Sequence, residues 1–525
     1  MAALHGFVAD ALQGLVHQFA DPMACFRELV QNAVDAGSAE IDVRFEYVDG
    51  RLVARVDDYG EGMDRHIIDH RLTRLFSSGK EGDRTKIGKF GIGFVSVFAL
   101  DPEVVCIDTS RAGEHWRVIF KPDRTFTRVA RTAPVDGTKI AIYKTMPRGE
   151  AEAFAARARA AIAFWCAHVP ADIRVEGASV SRPFVVEQAC AIVAEVGDMR
   201  VAAGYAGDSS ITYYNRGLTL LAEAPGPFPG VEVKLWSPEL EHTMTRDNVM
   251  RDEGFARALE RARVQVSGPL RARLVAMIAE RAKHDAPHLA SDASDELLDH
   301  LAGHLARGDE LPRAAWREGL LRCHHAGAAD LKAIRKAGKA GELWVAAAPS
   351  ALTEALHGRE QVVLAAEADS AAVRLVKELT GSAPRAIEQH LYTAVRAAEP
   401  AGWRGLAPLL ATLLEGVGQR PRGVYAGDLG YEGSAVAGRV AVAQDEAYGV
   451  SRLAALAESV KGRRLVVHAG HAAVREALAL AAREPEFAAY AIVKAYLLGL
   501  GGGLAVATDN ALVARALEVR CRRTT

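Results

Sequence analysis

The stretch Phe26-Arg-Glu-Leu-Val-Gln-Asn-Ala-Val-Asp35 constrains the chain more than any other, because its apolar and polar residues separate onto two sides only if it is helical. Phe26, Val30 and Ala33 form one side, a core-facing stripe. Glu28, Asn32 and Asp35 form the other, since spacings of four and seven residues at about 100° per residue bring them within roughly 60° of one another. Such a helix packs with one face and presents chemistry with the other. A carboxylate able to act as general base, one helical turn from an amide oxygen able to ligate a hard cation, is the pairing needed to split a phosphoanhydride with Mg²⁺. The same spacing also arises on solvated helix faces, so this helix alone assigns nothing.

Two further stretches add to it. Arg55-Val-Asp-Asp-Tyr-Gly-Glu-Gly-Met63 reads as a strand running into a turn, with Asp58 at the strand end and Gly60 and Gly62 allowing the backbone to approach a ligand. Ile87 to Phe98 places Gly88, Gly91 and Gly93 just before an apolar helical run, where free backbone N–H groups and the helix dipole favour phosphate. The glycine order is G-x-x-G-x-G and no short β-α-β unit frames it, which argues against a nicotinamide-type dinucleotide site. Asp136-Gly137-Thr138 then turns into a strand through Tyr143, with a hydroxyl at its entrance.

In this order the four blocks resemble the ATP-binding domain shared by gyrase B, heat-shock protein 90, histidine kinases and MutL, over roughly residues 5–145. The resemblance implies that Glu28 activates the attacking water, Asn32 ligates Mg²⁺ and Asp58 accepts the adenine amino group. Gly60 and Gly62 would flank the base, and Thr138 would hydrogen-bond near it. Gly88, Gly91 and Gly93 would hinge a lid over the phosphates that contains Ser77, Ser78, Gly79 and Lys80. Asp35, Met63, Lys80 and Phe94 complete the implied nucleotide-binding set. Physical chemistry agrees: adenine needs a buried acceptor, and a triphosphate needs metal and backbone donors.

With 525 residues the chain exceeds what one core organises, so two to four domains are expected. A formal charge of −2 and a pI near 6.8 supply no global basic field, so nucleic acid is not an expected partner, although a local groove could still be basic. The six cysteines lack C-x-x-C spacing, which speaks against a disulfide framework or a zinc ribbon. Cys323-His324-His325 is the one spot with metal-ligand chemistry, but adjacent residues point apart and no partner pair follows. The opening residues, with His5, Asp10 and His17, do not read as a signal peptide, so a cytoplasmic location is expected. Residues 488–507 are mostly apolar, yet Lys494 and Gly501 to Gly503 argue for a buried helix and turn rather than a membrane span.

Past the first domain, a helix near 150–168 and strands at 172–176 and 183–187 are expected to finish the nucleotide-binding layer. The strand Val231 to Trp236 leads to His242-Thr-Met-Thr-Arg-Asp-Asn-Val-Met250 and a long helix. This segment resembles the heat-shock protein 90 middle-domain loop whose arginine reaches the ATP γ-phosphate, which implies that role for Arg246. The chaperones place a glutamine where Met250 stands here. Glu342 to Leu364 resembles a small α/β unit of that middle domain, and Arg463 to Val474 resembles the start of the dimerisation domain, with His468 and His471 in a turn.

The expected fold is therefore α+β: an N-terminal Bergerat-type α/β sandwich binding ATP (1–190), an α/β middle domain carrying Arg246 (191–398) and a small mixed C-terminal dimerisation domain (399–525). The resemblance implies a divergent, Mg²⁺-dependent ATPase of the heat-shock protein 90 type, a homodimeric cytoplasmic chaperone clamping protein clients in the stress response. The stretch Asp35-Ala36-Gly37 followed by Ala39-Glu40-Ile41 also resembles MutL- or MORC-like DNA-associated ATPases, and a nucleotide sensor without turnover is a third reading.

Overall fold

The computed structural model describes residues 21–73, 92–241, 243, 248–283, 292–457, 459–501 and 503–524. It comprises two compact units, Met1–Arg273 and Leu274–Thr525. In both, helices lie on mixed sheets, an α+β arrangement.

In the first unit, helix α1 (Ala24–Asp35) precedes β1 (Glu40–Val48) and β2 (Arg51–Asp58), and β3 (Val104–Arg111), β4 (Glu114–Phe120), β5 (Phe126–Ala130) and β6 (Thr138–Thr145) follow. Helix α2 (Arg148–Cys166), β7 (Asp172–Val175) and β8 (Ala178–Ser179) complete a sheet ordered β5-β4-β3-β6-β2-β1-β7-β8. Its pairs are antiparallel except β1 with β7. The stripe expected of α1 is its buried side: Phe26, Val30 and Ala33 are at most 2% exposed. Full burial of a Phe or Val side chain contributes about 1.5–3 kcal/mol. Phe26, Phe45 and Phe154 meet edge-to-face with centroids 5.8–6.2 Å apart and fasten α1 and α2 to the sheet.

A second, five-stranded sheet, ordered β12-β11-β13-β10-β9, is built from β9 (Ala191–Val196), β10 (Met199–Tyr205), β11 (Ser210–Asn215), β12 (Leu218–Glu223) and β13 (Val231–Trp236). Residues 183–187 are not the strand expected of them. Their alternation is real, with Phe184 and Val186 buried and Val185 exposed, but it reports burial without pairing. The side chains of Val186 and Gln188 lie across β10 at Gly204, where an added Cβ would fall 2.7–3.0 Å from them. The turn of the β11–β12 hairpin presses on the end of α2: a Cβ on Gly217 would sit 2.2 Å from the His168 carbonyl oxygen. Helix α3 (Glu253–Gln265), capped by Asp252, continues through a π turn at Val266–Leu270, so the expected long helix is present.

The second unit holds two five-stranded sheets. One contains the parallel strands Leu343–Ala346 and Val362–Ala365, joined by the helix Ala351–His357, which is the α/β unit read from the sequence. His324 Nε2 donates to the Ala346 carbonyl (2.9 Å) and His325 Nε2 pairs with Thr353 Oγ1 (2.9 Å), so this histidine pair ties its turn to a strand end and to the helix Ala351–His357. In the other sheet the strand Arg464–His468 runs parallel to Gly423–Asp428 and feeds the helix Ala472–Ala481, which His471 caps. His468 Nε2 lies 3.1 Å from Asp428 Oδ1. The apolar run forms the helix Pro485–Gly499, whose Ala488, Ala489, Ile492, Val493 and Tyr496 are buried in the unit's own core. Phe487 and Leu517 stay 56% exposed. No described helix is long and apolar enough to cross a membrane.

Candidate functional site

Strand register assembles the site. Asp58 at the end of β2 pairs with Thr138 at the start of β6, and Thr138 pairs with Thr109 on β3. Residues in register point to the same side of a sheet, so the three side chains form a row. They are 7%, 6% and 0% exposed. Asp57, one residue back, points to the opposite face beside Arg44 (3.3 Å) and Lys139 (3.6 Å), so alternation singles out Asp58 as the inward carboxylate.

Two backbone donors, Gly60 N at 3.0 Å and Thr138 N at 3.2 Å, converge on Asp58 Oδ1. No described residue donates to Oδ2. Burial pushes the Asp58 carboxyl above its ordinary value of 3.8, opposed by those two hydrogen bonds and by the Lys139 ammonium. The outcome is a carboxylate with one oxygen held and the other left for a ligand's donor.

The turn after Asp58 is clamped. Glu61 N donates to the Ala36 carbonyl at the end of α1 (2.9 Å), and Met63 N donates to Thr109 Oγ1 (2.8 Å). Gly62, at φ +67°, leaves no room for a Cβ, which would lie 2.2 Å from Ser110 O. Gly137, at φ +63°, is as tight: its Cβ would fall 2.3 Å from Asp58 O. Gly60 lies against Ala36. Thr109, which sequence reasoning missed, joins the two turns, since its Oγ1 also lies 3.1 Å from Thr138 Oγ1 and 3.3 Å from Gly137 O. A single threonine inside a strand carries no signal until register sets it beside Thr138.

On α1 the expectation of an open polar face needs correction. Glu28 is 2% exposed, beneath two covers. Arg27, itself 2% exposed and 4.8 Å over the Trp165 ring, brings Nη2 to 3.3 Å from Glu28 Oε1. Gly93 closes on the other oxygen, with room for no Cβ: that atom would be 2.7 Å from Oε2. Asn32 is exposed, and Asp35 Oδ1 lies 3.1 Å from Arg216 Nη1 at the β11–β12 turn. The apolar run after Gly93 is shorter than expected of a helix, one α turn (Ile92–Val95) continued as the 3₁₀ turn Ser96–Leu100, so its dipole is weaker. Phe94 is 4% exposed and packs its ring on Phe98 and Phe120, so it serves the core. The lid residues Ser77, Ser78, Gly79, Lys80, Gly88 and Gly91, and Arg246, lie outside the described residues.

Three of the four sequence blocks thus converge on one end of the sheet, and Gly93 of the remaining block touches Glu28. Residues 23–145 match the family described as "Histidine kinase-, DNA gyrase B-, and HSP90-like ATPase". The chain is 29% identical over 173 residues to the chaperone protein HtpG of Methylococcus capsulatus, covering 26% of this chain and 27% of that protein. With HtpG of Anaplasma phagocytophilum it shares 34% identity over 167 residues, 26% of each chain. Residues 23–145 therefore resemble an ATPase domain of this kind, and over about a quarter of its length the chain is similar to HtpG chaperones. The heat-shock protein 90 type match spans about a quarter of the length of those chaperones. A DNA mismatch repair protein MutL from Opitutus terrae is 38% identical over 74 residues, 13% of this chain and 11% of that one.

Proposed function

We propose that this chain binds and hydrolyses ATP and uses the cycle as a clamp that acts on protein clients. The observation that carries the reading is the pairing of an inward carboxylate, Asp58, whose Oδ2 receives no donor from a described residue, with a second carboxylate, Glu28, packed against Gly93. Asp58 Oδ2 accepts the adenine amino group, a contact strengthened by the carboxylate charge and by the burial of Asp58. Gly60, Gly62 and Met63, fixed by Ala36 and Thr109, hold the turn that flanks the base. Glu28 takes a proton from the attacking water, with Arg27 restraining its Oε1. Asn32, exposed one turn further along α1, would hold Mg²⁺, which neutralises charge on the phosphates. Arg246, Lys80 and the lid glycines serve the phosphates on the same reading, Arg246 as the group that stabilises the charge leaving the γ-phosphate.

The matches to chaperone proteins support action on protein clients, and on the same reading the chain works as a cytoplasmic homodimer, joined through its C-terminal region, in the stress response. Exposed Phe487, Leu498, Val513 and Leu517 on the last two helices suit a second copy. The MutL match favours a second reading, a DNA-associated ATPase. One experiment separates them: phosphate release with and without Mg²⁺, run beside suppression of aggregation of an unfolded protein and retention of duplex DNA at stepped salt. The clamp reading expects Mg²⁺-dependent release and ATP-dependent suppression. Salt-sensitive DNA retention without suppression would transfer the chain to the second reading, and ATP binding without release would make it a sensor.

A further inference from the structure

In the second unit the strand Gly423–Asp428 has one paired edge and one that is largely open. Along the first it pairs with Arg464–His468, from Gly423 opposite Arg464 to Gly427 opposite His468. Along the second, the antiparallel strand Leu391–Arg396 reaches only Asp428 and Gly427 before the chain leaves the sheet for the helix Trp403–Gly416. Gly427 O accepts from Ala469 N (2.9 Å), on the side of Arg464–His468, so alternation turns the backbone groups of Val424 and Ala426 to the open edge. The Tyr448 hydroxyl donates to Ala426 O (2.8 Å). Val424 N–H and C=O have no partner on that edge among the described residues.

This edge is one wall of a groove. The facing wall is a stripe of the helix, Arg404, Ala407, Pro408 and Ala411, and the two border an open cavity of about 410 Å³. Tyr425 and Tyr448 also line it, edge to face with ring centroids 6.1 Å apart. Arg422 precedes the open stretch and Arg396 ends the strand that stops short of it. Both are exposed, and neither meets a carboxylate among the described residues, Arg396 lying instead 5.7 Å over the Tyr448 ring. Arg404 is paired with Glu399 (3.4 Å). The uncompensated charge is therefore positive, one arginine at each end of the open edge.

We propose that this groove docks an extended segment of another polypeptide, which adds as an antiparallel strand beside Val424 in the place that Leu391–Arg396 leaves. Its central apolar or aromatic side chains lie against Ala407, Pro408 and Tyr425, and acidic residues at its two ends meet Arg396 and Arg422. A strand edge selects a strand, since a second backbone supplies both a donor and an acceptor to Val424, whereas a docked helix has spent its own on itself. The inference is independent of the ATPase reading, because no residue of the groove takes part in it.

The test uses the full chain and the fluorescein-labelled peptide Asp-Glu-Val-Tyr-Val-Asp-Glu, followed by anisotropy. Saturable binding is expected. Two versions N-methylated at alternate amides, one for each phase of the strand, should differ: one phase should weaken binding about tenfold and the other leave it unchanged. Val424→Pro removes a donor that faces no strand, a position where an edge tolerates proline, so the protein should stay folded by circular dichroism and lose about tenfold in affinity. Replacing both Arg396 and Arg422 by Glu should reverse the preference, so that a peptide with Lys at the four acidic positions binds about tenfold better than the original. Absence of saturable binding, equal binding of the two N-methylated peptides, or parental affinity in folded Val424→Pro would each overturn strand addition. Self-association of the parent chain that Val424→Pro abolishes, without peptide binding, would give the edge to a second copy and overturn the proposal as well.

Discussion

Replacing Asp58 by Asn tests the adenine contact at its most exacting point, because the carboxamide cannot satisfy both sides of the site. If its oxygen keeps the place of Oδ1, under the N–H groups of Gly60 and Thr138, its NH₂ faces the adenine amino group, donor against donor. If the amide flips, the NH₂ faces those two backbone donors instead. Either way at least one hydrogen bond to a charged acceptor is lost, about 1.5–3 kcal/mol, and at least one buried donor is left opposed, about 1–3 kcal/mol more. At 1.4 kcal/mol per tenfold, affinity should fall roughly 10²- to 10⁴-fold. The free protein should behave in the opposite sense. Burial holds the Asp58 pKa above its ordinary 3.8, so the folded state binds this proton more tightly than the unfolded chain does. The ionised group therefore costs stability at neutral pH, and that cost is relieved as pH falls through the raised folded value. Asn carries no such charge, so the melting temperature at neutral pH should hold or rise while binding disappears. In the parent, ATP affinity should weaken as pH falls through the same window, since a proton on Oδ2 turns the acceptor into a donor. Calorimetric titration with a non-hydrolysable analogue and thermal melting across pH measure both. Near-parental affinity in Asp58→Asn would refute the adenine assignment, and a large drop in melting temperature would refute the charge argument.

Gly93→Ala would put a methyl 2.7 Å from Glu28 Oε2, an atom at the end of a side chain that can move. It should leave stability within about 1 kcal/mol yet slow turnover on the order of 10- to 100-fold by displacing the base, as melting and phosphate release together would show. Gly137→Ala meets backbone instead, 2.3 Å from Asp58 O at φ +63°, and should destabilise by about 2–4 kcal/mol in chemical denaturation. Thr109→Val keeps the shape but strands Met63 N without its acceptor, so it should cost about 1–3 kcal/mol and weaken nucleotide affinity in the same titration.

Periodicity and glycine placement made much of this site readable in the sequence. The helical stripe of Phe26, Val30 and Ala33 is the buried side of α1, and Asp58 stands at a strand end before a glycine turn. What one dimension could not carry is register and cover. Thr109 joins the site only because β3, β6 and β2 are neighbours, although it lies far from Asp58 in sequence. Glu28 reads as an exposed acid from its helical phase and is buried because Arg27 and Gly93 close over it. Residues 183–187 alternate like a strand because one side packs on β10, a signal that pairing and packing share. The apolar helix Pro485–Gly499 fills its own unit's core, a use that hydropathy cannot tell from a subunit seam.

If Asp58 binds and Glu28 performs the chemistry, Glu28→Ala separates the two directly. On one preparation, equilibrium ATP binding and single-turnover phosphate release with Mg²⁺ should show affinity within a few-fold of the parent and turnover lower by roughly 10²- to 10⁴-fold, the range of a general base. Bound ATP would then be recovered intact. Phosphate release at the parental rate from Glu28→Ala would contradict the account, since the base would have to lie elsewhere.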